Sequence, residues 1–418
     1  MPFLGPISAC LLLLVGLGLL ERLWRNRAWK AVPIRIHVNG TRGKSSVTRL
    51  IWAALRAAGI PTLAKTTGAA PCLLLPDGTE QPLRRWGKPN IREQLRTLWL
   101  AKRTGARAVV LECMAIAPDL QWTAEQEMMR ATIGVITNAR TDHTEVMGHT
   151  WDEIAASLAN TIPRRSVLVV GESRLAAAYE RCAAARGSRM LVAAVGARPS
   201  SGAATPAGRE ASESTSAFSR AGFAAHEEGR TSTDQPWQRD NEAIALAVTR
   251  ELGIADAVAL AAMSGLRPRT GDAMQGTVQC GQSSLPYVDA RKANDPESFL
   301  QVLDWFLASL VRGNVQPQRP LLIYNHRSDR PHRLLSFAAK AFPQSRAPEV
   351  LVTGQRPAQT LWRTVRRMNE LPPLRFVSMQ QLPALLAERA GHCQGVVFCG
   401  NIQGLDLKHL LSPPNVNT

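Results

Sequence analysis

The segment IRIHVNGTRGKSSVTRLIWAALRA, residues 34–57, decides the fold. Its first part alternates the apolar residues Ile34, Ile36 and Val38 with polar ones, which predicts a half-buried β-strand. Its last part repeats apolar residues at intervals of three and four, which predicts an amphipathic helix. A glycine-containing loop, GTRGKS at 40–45, joins the two. The sequence therefore predicts a strand, a tight loop and a helix, which is the first unit of a parallel α/β sheet.

The loop has the composition of a phosphate-binding loop. Glycines allow backbone amides to face phosphate oxygens, and the N-terminus of the following helix adds its positive dipole. We expect Lys44 to neutralise the β- and γ-phosphates and Ser45 to ligate magnesium. The general pattern GxxxxGK[ST] would need glycine where the chain has Val38, so only the shorter core GTxGKS is present. The position of that core between a strand and a helix still predicts nucleotide binding.

Two further buried strands are expected to end at polar residues. Apolar runs lead to Glu112 in AVVLE and to Asn138 in IGVITN, and Asp142 and His143 follow. Ligands of open parallel sheets bind at the carboxyl ends of the strands. We therefore expect Glu112 and His143 beside the phosphate loop, as magnesium ligands or as groups that orient the ligands. Two alternatives remain open: Glu112 as a salt-bridged acid at the edge of the core, and His143 as a capping or packing residue.

The composition excludes several classes of protein. The chain has 418 residues, 45% hydrophobic and 20% charged, which excludes wholesale disorder and a polytopic membrane protein. Its seven cysteines lack a CxxC pair, which favours a reducing compartment over a disulfide framework. The net charge of +17 favours a polyanionic partner or an anionic membrane surface, with arginine-rich coding composition as an equal alternative. A nucleic-acid-dependent ATPase is the alternative from another class, but 5% aromatic residues and no helix-turn-helix or RNP pattern argue against nucleic acid.

The N-terminus predicts a membrane anchor. Residues 2–20 form an uncharged apolar run, and Arg22, Arg25, Arg27 and Lys30 follow it. A helix of this length spans about 28 Å, close to the thickness of the bilayer hydrocarbon, and the basic flank places the rest of the chain in the cytoplasm. We therefore expect a single-pass protein of the inner (plasma) membrane with a cytoplasmic catalytic body. A buried or interfacial helix is the alternative.

Three regions are expected along the chain. Residues 1–30 are the membrane anchor with its basic flank, and residues 31–280 are the P-loop ATP-binding central domain. The central domain includes a flexible insert at about 197–236, where large aliphatic residues are nearly absent. Alternating strand and helix patterns return in residues 285–412 and predict a smaller Rossmann-like α/β domain. The expected fold class is thus α/β, with two parallel-sheet domains behind one transmembrane helix.

The motifs taken together resemble a known family. They are, in chain order, NGTRGKSSVTRL at 39–50, KTTG at 65–68, KPNIREQ at 88–94, LECMAIAPD at 111–119, DHTEVMG at 142–148, NHRSDR at 325–330 and GNIQG at 400–404. This set is similar to the Mur ligase superfamily of ATP-dependent amide ligases. Within it, the set is most similar to the ligase subunit of poly-γ-glutamate synthase, the PgsB/CapB type. The resemblance covers nearly the whole chain apart from the insert and the exact sequence of the anchor.

The resemblance implies a two-step reaction. ATP would phosphorylate a γ-carboxylate, and the amino group of glutamate would attack the acyl phosphate, which extends poly-γ-glutamate for a capsule or for release. A Mur-type or folylpolyglutamate-type ligase acting on another acidic acceptor is the alternative. The implied cofactors are ATP and Mg²⁺. The implied partners are glutamate, the growing chain and small integral-membrane synthase and export subunits of the PgsC/CapC type, and a homo-oligomer is left open.

The resemblance also implies roles for individual residues. Catalysis would involve Lys44, Glu112, His143 and Arg330, and the metal would be held by Ser45, Glu112 and His143. The implied ATP contacts form a longer set: Asn39, Gly40, Thr41, Arg42, Gly43, Lys44, Ser45, Ser46, Asn241, Asp289, Asn294 and Asp329. Asn241 would meet the adenine. Many members also carry a carbamylated lysine after NxxxDH, but residues 149–163 contain no lysine, which predicts a site with one magnesium.

Overall fold

The structure is a computed structural model that describes residues 4–68, 71–85, 87–193, 235–266, 273–280, 283–312, 320–390, 392–405 and 407. The chain divides into two compact units. Unit 1 contains residues 1–139 and 155–268, and unit 2 contains residues 140–154 and 269–418. The segment 140–154 therefore belongs to unit 2, although the central domain expected from the sequence includes it. The insert expected at about 197–236 lies outside the described residues, apart from its last two.

Within the described residues, unit 1 contains an eight-stranded sheet. Its strands are β1 (Ile34–Asn39), β2 (Thr62–Thr66), β3 (Cys72–Leu74), β4 (Glu80–Pro82), β5 (Ala108–Glu112), β6 (Ile133–Ile136), β7 (Val167–Val170) and β8 (Arg189–Val192). Their spatial order is β4-β3-β2-β5-β1-β6-β7-β8. Six neighbouring strands run parallel: β2, β5, β1, β6, β7 and β8. At one edge of the sheet, β3 pairs antiparallel with β2, and β4 pairs antiparallel with β3. Because helices cover central parallel strands, every residue of β5 is buried and its sequence is almost wholly apolar.

Helices connect these strands, and most of them belong to unit 1. They are α1 (Leu4–Ala31), α2 (Lys44–Ala57), α3 (Glu93–Arg103), α4 (Pro118–Thr123, continued by a π-helical turn at Ala124–Met129), α5 (Thr144–Met147), α6 (Trp151–Leu158), α7 (Ala176–Ala185), α8 (Pro236–Glu251) and α9 (Asp256–Ser264), with 3₁₀ turns at Ala159–Thr161 and Ser173–Leu175. Helix α5 and the first half of α6 lie in unit 2. The predicted apolar face of α2 is confirmed, since Val47, Leu50, Ile51 and Leu55 are buried in one core with residues of α8 and α9.

The first helix is continuous with the body of unit 1. It extends to Ala31, and its last turns pack against the body. Trp29 Nε1 donates to Met128 O at 2.9 Å, and the rings of Trp24 and Trp99 stack with 5.9 Å between their centroids. Of the helices in the described part of the chain, none is long and apolar enough to cross a membrane. The transmembrane helix predicted over residues 2–20 is therefore not supported; that prediction considered the apolar run apart from the polar turns that continue it.

Unit 2 contains a second sheet, with six strands among the described residues. They are β9 (Met274–Cys280), β10 (Ser283–Asp289), β11 (Leu321–His326), β12 (Val350–Gly354), β13 (Leu374–Phe376) and β14 (Val396–Gly400), in the order β13-β12-β11-β14-β10-β9. All neighbours run parallel except β9, which is antiparallel to β10. The helices are α10 (Pro296–Arg312), α11 (Pro331–Lys340), α12 (Gln359–Arg366) and α13 (Leu382–Arg389), with a 3₁₀ turn at Pro343–Ser345. The predicted α/β class with parallel-strand sheets is confirmed.

Aromatic side chains fill part of the core of unit 2. Tyr324 of β11 contacts Phe337 and Phe342 edge to face, with 5.3 and 5.7 Å between ring centroids. Phe299 of α10 contacts Phe337 at 5.4 Å. Such tilted and edge-to-face pairs add to the area that the rings bury. They hold α10 and α11 against β11, whose last two residues begin the polar segment NHRSDR at 325–330.

Candidate active site

The phosphate loop requires glycine at two positions. Gly40 has a φ of +129° and Gly43 a φ of +80°, conformations that L-residues with a side chain rarely adopt. A Cβ atom at Gly40 would lie 2.1 Å from Thr137 Oγ1, and one at Gly43 would lie 2.3 Å from Asn241 Oδ1. The loop is therefore packed against the end of β6 and against α8. Asn241, which the resemblance places at the nucleotide, lies directly beside the loop.

The Asn138 side chain holds the path of the loop. Its Oδ1 accepts hydrogen bonds from Thr41 Oγ1 at 2.7 Å and from the Arg42 backbone N at 3.0 Å. Its Nδ2 donates to Arg42 O at 3.3 Å, and Thr137 Oγ1 donates to the same oxygen at 2.5 Å. These bonds shape the loop in the protein alone. Its amide groups are thus preorganised for a ligand, which lowers the entropy cost of binding.

Helix α2 begins immediately after the loop and favours an anion there. Its N-cap is Gly43, which has no capping side chain, and its first turn contains no acidic residue. The first turn of the helix, which includes Ser46, carries the positive end of the helix dipole. Lys44 Nζ donates to Gly40 O at 2.7 Å and to Thr41 O at 3.4 Å, so the ammonium group lies within the loop. Amides, dipole and ammonium converge as the sequence predicts for a phosphate site.

Ser45 and Glu112 meet beside the loop, as expected from the carboxyl ends of β1 and β5. Ser45 Oγ donates to Glu112 Oε2 at 2.7 Å, and the Thr67 backbone N donates to the same oxygen at 2.7 Å. Glu112 is only 3% exposed. Gly68 lies over the pair, because a Cβ atom there would be 2.8 Å from Ser45 Oγ. A buried carboxylate bonded to two donors is held in one orientation, which is what a metal ligand requires.

The oxygens of Ser45 and Glu112 fit a hard divalent cation. Magnesium is commonly held by a hydroxyl or one or two carboxylates, and phosphate oxygens and water supply the other ligands. Among the residues that the structure describes, no three His, Cys, Asp or Glu side chains form a group that could hold a metal. The pair therefore fits a metal that is shared with a nucleotide, and does not fit an all-protein metal cage.

A buried ion pair supports the base of the phosphate loop. His37 Nδ1 lies 2.8 Å from Glu125 Oε2, and the two side chains are 0% and 1% exposed. Burial by itself lowers the pKa of His37, but the neighbouring Cys113 and the Glu125 carboxylate outweigh it and raise that pKa to about 10. Glu125 Oε1 also accepts from the Ala131 backbone N at 2.8 Å. The pair joins β1, two residues before Asn39, to the π-helical turn after α4.

The side chain of Asn39 does not have the position that the ATP contact implied by the resemblance requires. Its side chain is 2% exposed, and its Nδ2 donates to Gln121 Oε1 at 2.9 Å and to Thr161 Oγ1 at 3.1 Å. Gln121 in turn donates to Ser157 Oγ at 3.1 Å. The amide of Asn39 therefore points into the core and fixes the end of β1. A side-chain contact from Asn39 to ATP is not consistent with this arrangement, although its backbone leads directly into the loop.

His143 belongs to unit 2, whereas Ser45 and Glu112 belong to unit 1. His143 caps α5 in a left-handed conformation with a φ of +51°. Its ring nitrogens lie 3.9 Å from an Asp142 oxygen and 3.6 Å from a Glu145 oxygen, and the side chain is 29% exposed. A non-glycine residue in this conformation is uncommon and is held by its surroundings. His143 takes the N-cap position of α5 without a hydrogen bond from its side chain to the helix, so the capping alternative and the predicted metal role both stay predictions.

The remaining predicted residues lie on one edge of unit 2. Asp289 ends β10 and binds Arg291 through both carboxylate oxygens, at 2.8 and 2.9 Å. The side-chain amide of Asn294 faces the backbone oxygens of Arg291 and Gly400, so its nitrogen is assigned to that side and donates to Arg291 O at 2.7 Å. Asp329 pairs with Arg327 at 2.7 Å, and Arg330 is exposed. Asp289 is therefore neutralised within its own unit, and its predicted contact with the nucleotide stays a prediction.

Sequence reasoning missed three residues that organise the site. Thr67 supplies a backbone N–H to Glu112, Thr137 supplies a hydroxyl to the phosphate loop, and Lys65 lies buried behind Glu112. Thr67 and Lys65 belong to the KTTG segment, which the resemblance singled out without a role. Thr137 directly precedes Asn138 at the end of a buried strand. This position at the carboxyl edge of a parallel sheet is the sequence signal that could have identified Thr137 as a site residue.

Two family models match the chain. Residues 38–191 match the Mur ligase middle domain, and residues 277–412 match the C-terminal domain of poly-γ-glutamate synthase CapB. The chain is 30% identical to the PGA synthase CapB of Bacillus subtilis (strain 168), over 95% of this chain and 94% of that protein. It is 33% identical to the capsule biosynthesis protein CapB of Bacillus anthracis, over 84% of this chain and 69% of that protein.

Solved structures share the fold. The complex of E. coli FolC with ADP matches with a TM-score of 0.55 and 16% identity, covering 90% of this chain and 88% of that one. A UDP-N-acetylmuramoylalanyl-D-glutamyl-2,6-diaminopimelate–D-alanyl-D-alanyl ligase from Acinetobacter baumannii matches with a TM-score of 0.54 and 13% identity, covering 92% and 76%. At such identities the match concerns the fold alone. Together with the two family models and the curated relatives, it leads to one conclusion: the chain belongs to the CapB family of poly-γ-glutamate synthases, ATP-dependent amide ligases with a Mur-ligase-like α/β fold.

Proposed function

We propose that this chain phosphorylates the γ-carboxylate of an acidic acceptor with ATP and joins it to the amino group of glutamate. The observation that carries the proposal is the preorganised phosphate loop with Ser45 bonded to Glu112, in a chain of the CapB family. The names of its relatives indicate poly-γ-glutamate as the product. A folylpolyglutamate synthase of the same fold has been solved with Mn, AMPPNP and L-glutamate, which supports ATP, a divalent metal and glutamate as ligands here.

The residues of unit 1 supply what phosphoryl transfer needs. The loop amides and Lys44 bind the phosphates and spread the charge that develops on the transferred group. Ser45 and Glu112 would hold Mg²⁺, which would neutralise phosphate charge when bound. Glu112 is kept in place by Ser45 and by the Thr67 backbone, so it does not have to reorganise during the reaction. The first step forms a P–O bond to the acceptor carboxylate and releases ADP; in the second, the glutamate amine displaces phosphate and loses a proton.

Lys44→Met tests the assignment. Purified protein receives ATP, Mg²⁺, labelled glutamate and a short γ-glutamyl oligomer, and both ADP release and label in the polymer are measured. Losing one preorganised contact of this kind typically reduces turnover about 100- to 1000-fold. We expect such a loss with an unchanged unfolding curve. A folded variant that still ligates at a near-normal rate would refute the role of the loop.

Parallel reactions distinguish the acceptor. One replaces the γ-glutamyl oligomer with a pterin glutamate or a muropeptide, and another replaces it with DNA. We expect the γ-glutamyl oligomer alone to stimulate glutamate-dependent ADP release. Stimulation by a pterin glutamate or muropeptide would indicate a ligase for another acidic acceptor, and stimulation by DNA without glutamate would indicate a nucleic-acid-dependent ATPase.

We also propose that the enzyme works at the cytoplasmic face of the plasma membrane, together with small integral-membrane subunits of the PgsC/CapC type. The support is the leucine-rich part of α1, where Leu12 is 73% and Leu20 63% exposed, followed by the basic flank. Exposed apolar side chains next to basic ones favour contact with an anionic lipid surface. Replacing Leu12, Leu13 and Leu20 by Gln should move the protein from the membrane fraction to the soluble fraction. An unchanged distribution would contradict this proposal.

A further inference from the structure

One surface of unit 1 carries a strong excess of positive charge. Between residues 81 and 111 the sequence has eight basic residues and a single acidic one, Glu93. Four of the basic side chains, at the start of α3 and in the loop before it, are exposed: Arg84, Lys88, Arg92 and Arg96. We call these four residues the basic surface. An excess of this size attracts anions over distances of about 8 Å at physiological ionic strength.

The one acidic residue of this segment is withdrawn from the surface. Glu93 Oε1 accepts from Arg85 Nε at 2.8 Å, and Glu93 Oε2 accepts from Lys65 Nζ at 3.3 Å. Lys65 is completely buried at the end of β2, and the Glu93 side chain is only 12% exposed. The carboxylate that would otherwise neutralise part of the basic surface therefore faces inward.

Burying a lysine in this way is costly, which argues that it serves a purpose. Desolvation lowers the pKa of Lys65, and the Glu93 carboxylate opposes that shift. Burial alone would raise the pKa of Glu93, but Arg85 and Lys65 bring it below its usual range. A buried pair is seldom more stable than apolar residues of the same size, so stability alone does not explain it. Its consequence is that the exposed charges of the segment 81–111 are positive.

The basic surface starts next to the candidate active site. Gln94, the second residue of α3, is completely buried, and its Nε2 donates to Glu112 O at 3.3 Å. The N-terminus of α3 is thus bonded to the strand end that presents Glu112 to Ser45. We expect an acceptor whose reactive carboxylate lies at the phosphate loop to extend its next residues toward this end of the basic surface.

We propose that the basic surface binds the growing γ-glutamyl chain through the free α-carboxylates that each linked residue carries. The inference rests on the proposed function and adds to it the place where the acceptor chain is held. A γ-linked glutamate chain is flexible and has one negative charge per residue. Arginine side chains, with a planar fork of donors, match carboxylates well. Several weak contacts along one chain then add up without a deep pocket.

The test compares two full-length triple variants of equal net charge. The first is Arg84→Gln/Lys88→Gln/Arg92→Gln. The control is Arg363→Gln/Arg366→Gln/Arg367→Gln, which removes three exposed charges from unit 2. Binding of a labelled γ-glutamyl decamer is followed by fluorescence anisotropy, and the KM values for decamer and for ATP are measured in the ligation assay.

An exposed ion pair usually changes affinity by about twofold, and by up to about fivefold, so the loss of three should weaken decamer binding by about tenfold. We expect this loss, with a matching rise in the decamer KM, in the first variant only, and an unchanged KM for ATP in both. Binding by the unmodified protein should weaken as salt is added. Equal affinities in the two variants would overturn the proposal, and so would a selective loss of binding to an oligonucleotide. If the unmodified protein binds the decamer but shows no ligase activity, and the first variant alone loses this binding, the inference is upheld and only the proposed function is contradicted.

Discussion

The buried pair of His37 and Glu125 offers a quantitative test of how unit 1 is held together. Replacing Glu125 by Gln keeps the size of the side chain and removes its charge. The carboxylate faces His37 Nδ1 at 2.8 Å and accepts from the Ala131 backbone N at 2.8 Å, and both side chains of the pair are buried. Removing one partner of such a pair usually costs about 3–5 kcal/mol of stability. We expect Glu125→Gln to lower the free energy of unfolding by that amount at pH 6.

The pH dependence of stability measures the whole surroundings of His37 and not Glu125 alone, because Cys113 also raises the pKa of His37. The pKa of His37 is raised from 6.5 to about 10 in the folded protein. A group with a raised pKa contributes its full stability below its unfolded pKa, and that contribution is lost as the pH rises through the folded pKa. Between pH 6.5 and 10 the loss is about 1.4 kcal/mol per pH unit, or about 5 kcal/mol over the whole window. The cost of Glu125→Gln should therefore shrink as the pH approaches 10.

Urea unfolding of both proteins at several pH values between 6 and 10 measures this difference. Glu127→Gln is the matched control, since Glu127 lies on the same π-helical turn and is partly exposed. We expect the control to unfold like the unmodified protein at each pH, which removes the contribution of other groups that titrate in this range. A difference between Glu125→Gln and the control that stays constant from pH 6 to pH 10 would refute the ion pair. So would a difference below about 1 kcal/mol at pH 6.

Two further predictions concern the phosphate loop. Glu112→Gln should reduce ligation about 100-fold or more, because the amide lacks the negative charge that the carboxylate offers to a metal. The magnesium concentration needed for half-maximal activity should also rise. An unchanged dependence of activity on magnesium would show that Glu112 is not a metal ligand. Gly43→Ala should weaken nucleotide binding more than tenfold, because its Cβ would lie 2.3 Å from Asn241 Oδ1 at a φ of +80°. Gly59→Ala is the control, because Gly59 has a φ of +76° and open space around it. Nucleotide affinity of both variants is measured by calorimetry. Equal affinities would contradict the close packing of the loop.

The N-terminal helix was predicted correctly as a helix, but its predicted membrane-spanning character is not supported. The apolar run at residues 2–20 and the basic residues after it are present, and the chain is helical there. The sequence does not show that Trp24 and Trp29 bind α1 to α3 and to the turn after α4. Those contacts join residues about 70 to 100 positions apart, and no hydropathy window contains both partners.

The sequence alone determined the strand, loop and helix of residues 34–57 and the position of Lys44 and Ser45 at the start of that helix. These features are local, since the glycines, the lysine and the start of α2 are consecutive and need few distant contacts to form. The order of β1, β5 and β6 then placed Glu112 and Asn138 at the same edge of the sheet as the loop.

Only the tertiary structure decided which groups bind one another at that edge. The bond from Ser45 to Glu112 spans 67 positions, and the one from Arg42 to Asn138 spans 96. The tertiary structure alone also shows that Lys65 turns Glu93 inward and that His143 belongs to unit 2. Such pairings depend on the register of strands and on the packing of side chains from distant segments. Motif spacing records the kind of residue at a position, but the direction of its side chain and its partner follow from the packed fold.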